Sequence, residues 1–341
     1  MFSAVLGLFS QDLAVDLGTS NTRVRVRNAR ETADEPTVVT VQTDRAGRRT
    51  VTAVGREARP MLGRTPEDLV AIQPIRGGRV VDFEVTEALL VHLVRRVHGR
   101  SAWMRPRMVV AMPHRASDME VRAIRDSCES AGAREVKLVP RPVAAALGAG
   151  LEIQEPSGVM VVDVGGGATE ISVLSLNGVV ASTVVEGGGE GMDDAIIRML
   201  EVERSLFVGR PSAERLKIEL GTAADPDPDR HATIRGRCAI GGIPRAEEVS
   251  AADVHRALLP HVEAIAEAVR RMVDSVAPEI GADIVDQGVV LTGGGAKLRH
   301  LDAALRDRTG LPVVCAERPE HAVIKGVSRI LQENALYEAI A

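Results

Sequence analysis

One short pattern occurs twice in this chain and limits what the chain can fold into. Leu13-Ala14-Val15-Asp16-Leu17-Gly18-Thr19-Ser20-Asn21-Thr22 matches Met160-Val161-Val162-Asp163-Val164-Gly165-Gly166-Gly167-Ala168-Thr169, with Val, Asp, Gly and Thr in register. Each copy runs on into alternating residues, Arg23-Val24-Arg25-Val26 and Glu170-Ile171-Ser172-Val173. Alternation of that kind predicts a half-buried strand. Each copy therefore reads as strand, glycine turn, strand, and the chain as a duplicated α/β protein with one such hairpin in each half.

The residues of the repeat suit a phosphate. Glycines in a tight turn let backbone N–H groups approach an anion with no Cβ in the way. Thr19, Ser20, Asn21 and Thr169 add side-chain donors. Asp16 and Asp163 stand just before the turns, where two carboxylates could hold Mg²⁺ through its waters, since Mg²⁺ dehydrates reluctantly. A single Asp-x-Gly hairpin is an ordinary turn. Two in register, with a third glycine turn at Val289-Val290-Leu291-Thr292-Gly293-Gly294-Gly295-Ala296, form a stronger pattern. That third turn follows an apolar strand and precedes a helix.

Helices are expected elsewhere. Asp118 to Ala131 follows Ser117, with Glu120 three residues on, the pattern of a capping box. Ala251 to Ala277 is amphipathic and contains Pro260, which predicts either two helices or one kinked helix. The run Ala224-Asp225-Pro226-Asp227-Pro228-Asp229 reads as a surface loop.

Composition excludes several classes. A net charge of −5 over 341 residues lacks the basic excess of a nucleic-acid binder. Cys128, Cys238 and Cys315 lie far apart, with neither metal-ligand nor disulfide spacing, which points to a reducing compartment. No apolar run approaches the length of a membrane span. Phe2, Leu6 and Phe9 share one helical face that could lie in a membrane interface. A strand leader or a disordered tail is the alternative.

These motifs resemble those of the actin-like ATPase superfamily, and within it the MreB/Mbl family of bacterial cell-shape filament proteins. Asp16 to Thr22 is similar to the family's first phosphate motif, Asp163 to Glu170 to its second, and Leu291 to Ala296 to its adenosine motif. Ala53-Val54-Gly55, Met61-Leu62-Gly63-Arg64-Thr65-Pro66, Asp82-Phe83-Glu84-Val85-Thr86-Glu87 and Glu155-Pro156-Ser157-Gly158 match outside the nucleotide motifs. So does Glu214-Arg215-Leu216-Lys217, whose Glu and Lys touch adenosine in the family; by spacing alone they are a surface i,i+3 pair.

The resemblance implies an actin-like fold with a nucleotide cleft. Residues 11–148 would form the first domain, with an insert over 33–75, and 149–320 the second, with an insert over 182–250. Residues 321–341 would be a C-terminal helix returning to the first domain, and 1–10 a membrane-anchor candidate. It further implies ATP and Mg²⁺ as ligands, Gly165, Gly166, Gly167 and Ala168 beside the phosphates, and self-assembly into a linear polymer of paired protofilaments. The protein would be cytoplasmic, peripheral on the inner membrane face, and in contact with membrane proteins of cell-wall elongation. Ser101-Ala102-Trp103-Met104 aligns with a loop the family presses into the bilayer, and a tip Trp beside Arg100 and Arg105 suits the headgroup region. A Trp folded under its own loop is the alternative.

Three departures stand out. Arg141 occupies the position of the Glu with which the family places the hydrolytic water, in Val139-Pro140-Arg141-Pro142-Val143. Ala168 replaces a Thr beside the phosphates, and Glu190 an Asp. A guanidinium cannot accept a proton from water, so slow or absent ATP hydrolysis is expected. Arg141 would pair with the γ-phosphate or point to solvent. A chaperone ATPase is disfavoured, because only about 45 residues follow Ala296, too few for a substrate domain. A sugar or acetate kinase lacks a candidate second-substrate carboxylate. A non-cycling paralogue that caps another filament stays open.

Overall fold

The computed structural model describes residues 12–28, 32–98 and 105–340. The anchor residues Phe2, Leu6 and Phe9 and the loop residues Trp103 and Met104 lie outside them. The chain divides into two units. One holds the described residues up to Glu155 with Leu176–Gly178 and the C-terminal stretch from His321; the other holds Pro156–Ser175 and Val179–Glu320.

The first unit is built on a five-stranded sheet in the order Glu135–Pro140, Arg107–Met112, Leu13–Leu17, Asn21–Val26, Thr32–Pro36. The first two of the chain's strands pair antiparallel with Asp16 opposite Arg23, and Leu13–Leu17 pairs parallel with Arg107–Met112. Leu13–Leu17 is buried throughout because both of its faces are covered, whereas in Asn21–Val26 only every second residue is buried. The second unit repeats the plan. Its sheet runs Val313–Cys315, Val289–Thr292, Val159–Val164, Ala168–Ser175, Gly178–Glu186, again with a hairpin at the centre and two parallel strands beside it. Two copies of one motif in the sequence thus become two copies of one sheet topology.

Each unit carries a small extra sheet: Arg49–Val54, Val39–Thr43 and Leu69–Ile72 in the first, Leu206–Phe207, His231–Cys238 and Pro244–Ser250 in the second. Residues 33–36, expected to open the first insert, pair instead with Asn21–Val26 in the large sheet. Residues 182–186 likewise continue a strand of the second large sheet. The first unit also extends beyond residue 148. The chain folds back there, Leu151 donating to the Ala146 carbonyl and Ile153 burying fully, so the joint falls after Glu155.

Helix Asp118–Ser130 begins with the expected box, Ser117 and Glu120 each bonding the other's backbone N–H. Ser250 and Asp253 repeat it at Ala251–Ser275, which is one helix despite Pro260. Pro260 lies on the exposed side, where water can serve the carbonyl its missing N–H leaves behind. The C-terminal stretch forms two helices, Ala322–Gln332 and Asn334–Ala339. The first crosses Arg141–Gly148 in backbone contact: a Cβ on Gly326 would strike the Ala144 carbonyl, and one on Gly148 the Ala322 carbonyl. Among the described residues no helix is long and apolar enough to cross a membrane.

Because the obstacle at Gly326 is backbone, the crossing cannot yield by a rotamer change. Gly326→Ala should destabilise the protein by about 1–3 kcal/mol or more, the range of overpacked cores. Urea unfolding should show a lower midpoint for Gly326→Ala and no loss for Gly281→Ala in helix Pro278–Gln287, where an added Cβ would meet nothing nearer than 3.9 Å.

Candidate functional site

In the second unit the glycine turn of the hairpin rests on a second run of glycines. The N–H groups of Gly189, Glu190 and Gly187 donate to the carbonyls of Gly165, Gly166 and Gly167 at 2.9, 2.7 and 3.2 Å. A Cβ on Gly188 would stand 2.6 Å from the Gly165 oxygen and 2.8 Å from the Ala168 nitrogen, so only glycine permits the approach. In a trans peptide the C=O and the following N–H point opposite ways. Carbonyls directed at residues 187–190 therefore turn the N–H groups of Gly166, Gly167 and Ala168 to the other side, the arrangement that cradles an anion. Gly187-Gly188-Gly189 had as clear a sequence signal as the other triple glycine.

The third glycine turn joins the same place. Val159–Val164 and Val289–Thr292 pair with Asp163 opposite Thr292, whose hydroxyl donates to Asp163 Oδ1 at 3.1 Å. Gly293 has φ +84°, and a Cβ there would stand 2.6 Å from Asp163 Oδ1. Gly294–Lys297 then forms a short 3-10 helix. Asp163, Gly165–Ala168 and Gly293–Ala296 thus gather at one end of one sheet; Thr169 is buried in the strand beyond.

Helix Arg210–Leu220 reaches this site through Lys217 and Arg210. Lys217 Nζ lies 2.7 Å from Asp193 Oδ1 and donates to the Gly189 carbonyl at 2.6 Å, tying the helix to the glycine platform. Glu214, one turn back, is half-buried. The expected contacts at Arg215 and Leu216 are corrected by helical periodicity, which turns them to other faces. Leu216 is fully buried in the core, and Arg215 pairs with Glu219 and donates to the Thr233 carbonyl. Glu190 sits 3.6 Å from Arg210.

The first hairpin is held by its own neighbours. Thr37 donates to the Gly18 carbonyl at 2.7 Å, and Thr19 Oγ1 accepts from the Gly78 N–H at 3.1 Å. Asn21 donates to Asp34 at 2.9 Å, while Ser20 is exposed. A Cβ on Gly18 would stand 2.6 Å from the Asn21 carbonyl. Arg141 does not point to solvent: its Nη1 lies 2.9 Å from Asp16 Oδ1, and Arg23 Nη1 lies 3.5 Å from Oδ2. Asp16 is 1% exposed, and both its oxygens face guanidinium groups. That does not fit the expected role of Asp16 in holding Mg²⁺, because the carboxylate charge a divalent ion would use is already matched. Among the described residues no three His, Cys, Asp or Glu side chains come together as a metal site.

Asp193 offers a pH test. Burial raises its pKa from the ordinary 3.8 to about 6, against the opposing pull of Lys217. A raised pKa in the folded state means stability that is complete below about pH 4 and lost as pH rises through about 6. Asp193→Asn has no such loss. Its melting temperature relative to the unsubstituted protein should therefore rise between pH 4 and 7; a difference independent of pH would show that Asp193 stays charged throughout.

The chain matches the family model described as MreB/Mbl protein over residues 10–339. It is 44% identical to the cell shape-determining protein MreB of Escherichia coli strain K12, covering 97% of this chain and 96% of the relative. It is 38% identical to the cell shape-determining protein Mbl of Bacillus subtilis strain 168, covering 95% and 96%. Among solved structures it resembles MreB 5 of Spiroplasma citri bound to AMPPNP, with TM-score 0.89, 27% identity and 96% of each chain covered. The MamK double helical filament shares the fold at TM-score 0.79 and 24% identity, over 94% of this chain and 99% of that one. The two-fold repeated sheet, its glycine turns and these likenesses together place the chain in the MreB/Mbl family, with an actin-like fold.

Proposed function

We propose that this protein is an ATP-binding, actin-like filament protein that works at the inner face of the cytoplasmic membrane and organises cell shape and wall growth. The observation that carries the reading is the gathering of Gly165–Ala168, Asp163 and Gly293–Ala296 on a platform of Gly187–Gly189. It offers N–H groups to phosphates and a small-residue surface to adenosine, with Glu214 and Lys217 on the adjoining helix. Asp163 is the carboxylate proposed to face Mg²⁺ through water; a bound Mg²⁺ would offset phosphate charge.

Membrane association rests on Phe2, Leu6, Phe9, Trp103 and Met104. Each large side chain contributes about 1.5–3 kcal/mol when buried, so one copy holds weakly and a polymer holds by multivalency. Head-to-tail contacts would make an open filament, and wall-elongation membrane proteins are the proposed partners.

Hydrolysis is proposed to be slow. Water needs an oriented acceptor, and Arg141 is a permanent cation bound to Asp16. The same observation favours a second reading, a non-cycling paralogue that binds nucleotide and caps or co-assembles with another actin-like filament.

Electron microscopy of the purified protein with ATP on anionic lipid separates the readings. Filaments on lipid are expected, lost from lipid but not from solution when Trp103→Ala is combined with deletion of residues 1–9. Phosphate release during assembly should be low and should rise in Arg141→Glu. Filaments that form only with a second family member would favour the capping reading, and rapid release by the unsubstituted protein would contradict slow hydrolysis.

A further inference from the structure

We propose that Arg27, Arg107 and Arg134 form a site for the phosphate of an anionic lipid headgroup, at the end of the first unit's sheet away from its glycine turn. The proposal deepens the membrane reading above and rests on it.

The sheet itself gathers the charges. Four neighbouring strands, in the order Glu135–Pro140, Arg107–Met112, Leu13–Leu17 and Asn21–Val26, each bring one charged residue to this end. Arg134 precedes the first strand, Arg107 opens the second, Asp12 precedes the third and Arg27 follows the fourth. Register sets Leu13 opposite both Met108 and Val26, and Glu135 opposite Arg107, so the four residues fall in one row.

One carboxylate cannot serve three guanidinium groups. Asp12 is fully buried and takes up Arg107, whose Nε and Nη2 donate to Oδ2 at 3.0 and 2.8 Å and whose backbone N–H donates to Oδ1 at 3.0 Å. Arg134 Nη2 and Arg27 Nη1 stand 3.6 and 3.8 Å from the same carboxylate, within its attraction but beyond hydrogen-bond length. Arg27 Nε is buried and meets no acceptor among the described residues, a cost that an added oxygen removes. Farther along the same end, Glu135 accepts from the Tyr337 hydroxyl at 2.6 Å, Lys137 lies over the Tyr337 ring, and Glu338 acts on Lys137. Counted together, Arg27, Arg107, Arg134 and Lys137 outnumber Asp12, Glu135 and Glu338. A phosphate matches the surplus, and its oxygens suit the planar fork of Arg. The three arginine side chains keep between 22 and 33% of their surface exposed, so a headgroup can reach them from outside.

The course of the chain says which phosphate. Residues 1–11 join the sheet at Asp12, and residues 99–104 join it through the exposed Arg105 and Pro106. These are the segments that carry Phe2, Leu6, Phe9, Trp103 and Met104. The cationic row stands where both segments meet the sheet. Apolar side chains supply area without regard to lipid charge, and the row adds a preference for anionic headgroups.

The test is sedimentation of the full chain, with ATP, on vesicles of phosphatidylcholine alone or with about one third phosphatidylglycerol. A basic residue beside an anionic surface contributes about fivefold in affinity, so the unsubstituted protein should bind the anionic vesicles about tenfold tighter or more. Arg27→Gln combined with Arg134→Gln should cut that preference below about threefold and leave binding to neutral vesicles unchanged, with Arg107 kept to pair Asp12. Arg235→Gln combined with Arg271→Gln, at exposed positions of the second unit, should keep the preference. Arg134→Gln alone should lose about fivefold and serves if the double variant does not fold. No preference in the unsubstituted protein, one that the Arg27/Arg134 variant keeps, or one that the control pair loses equally overturns the proposal and leaves the membrane reading standing. So does a melting temperature that millimolar inorganic phosphate raises only when Arg27 and Arg134 are present, with no preference between vesicles, since the site then takes soluble phosphate. No binding to either vesicle sinks the membrane reading, and the proposal with it.

Discussion

The second unit depends on one close approach of backbone to backbone. Gly165–Gly167 and Gly187–Gly189 meet with no side chain between them, and their hydrogen bonds decide which way the hairpin's peptide groups face. Carbonyls taken up by the glycine platform leave the N–H groups directed to the opposite side. The remaining parts are placed from there. The platform's Gly189 carbonyl holds Lys217, Lys217 reaches Asp193, and parallel pairing with Val289–Thr292 sets Gly293 against Asp163. A methyl group at Gly188 or Gly293 would part elements that the site needs together.

The two units share a topology but handle charge differently. In the second, the hairpin carboxylate Asp163 accepts from a neutral hydroxyl, Thr292. In the first, Asp16 is paired by Arg141 and Arg23, and a ladder of ions continues to Asp34 and His321. Buried ion pairs recover their desolvation cost only with good geometry and further hydrogen bonds. Here Arg23 spans two carboxylates and Arg141 stands at the start of a helix fixed by backbone contact, so both guanidinium groups are held beside the turn. The guanidinium at 141 is thus tied to Asp16 by an ion pair of 2.9 Å.

Much of this was legible in the sequence, because a repeated Asp-x-Gly pattern with alternation behind it leaves few folds open. The hairpins, the third turn and the capping box at Ser117 follow from local chemistry, which residue order records directly. Contacts between distant glycines do not. Gly148 and Gly326 are isolated residues in helical stretches, and nothing local marks them as partners. A matching run such as Glu214–Lys217 suggests one contiguous surface, but a helix turns successive residues by about 100°, which sends Leu216 into the core and Arg215 to Glu219. The insert boundaries moved for a similar reason: Thr32–Pro36 is polar enough to read as a loop, yet its pairing with Asn21–Val26 places it in the large sheet. The ion pair of Arg141 with Asp16 joins residues 125 positions apart and has no sequence signal beyond the unusual Arg itself.

The central claim is that an adenine nucleotide is seated on the glycine platform of the second unit, between its hairpin, its third turn and the helix bearing Glu214 and Lys217. Photolabelling of the full chain with an azido-adenine nucleotide, followed by mass spectrometry of its peptides, tests it most directly. The account predicts modification within Arg210–Leu220 or Gly294–Lys297, abolished by excess ATP. Label that ATP does not displace, or that falls outside both segments, would contradict it.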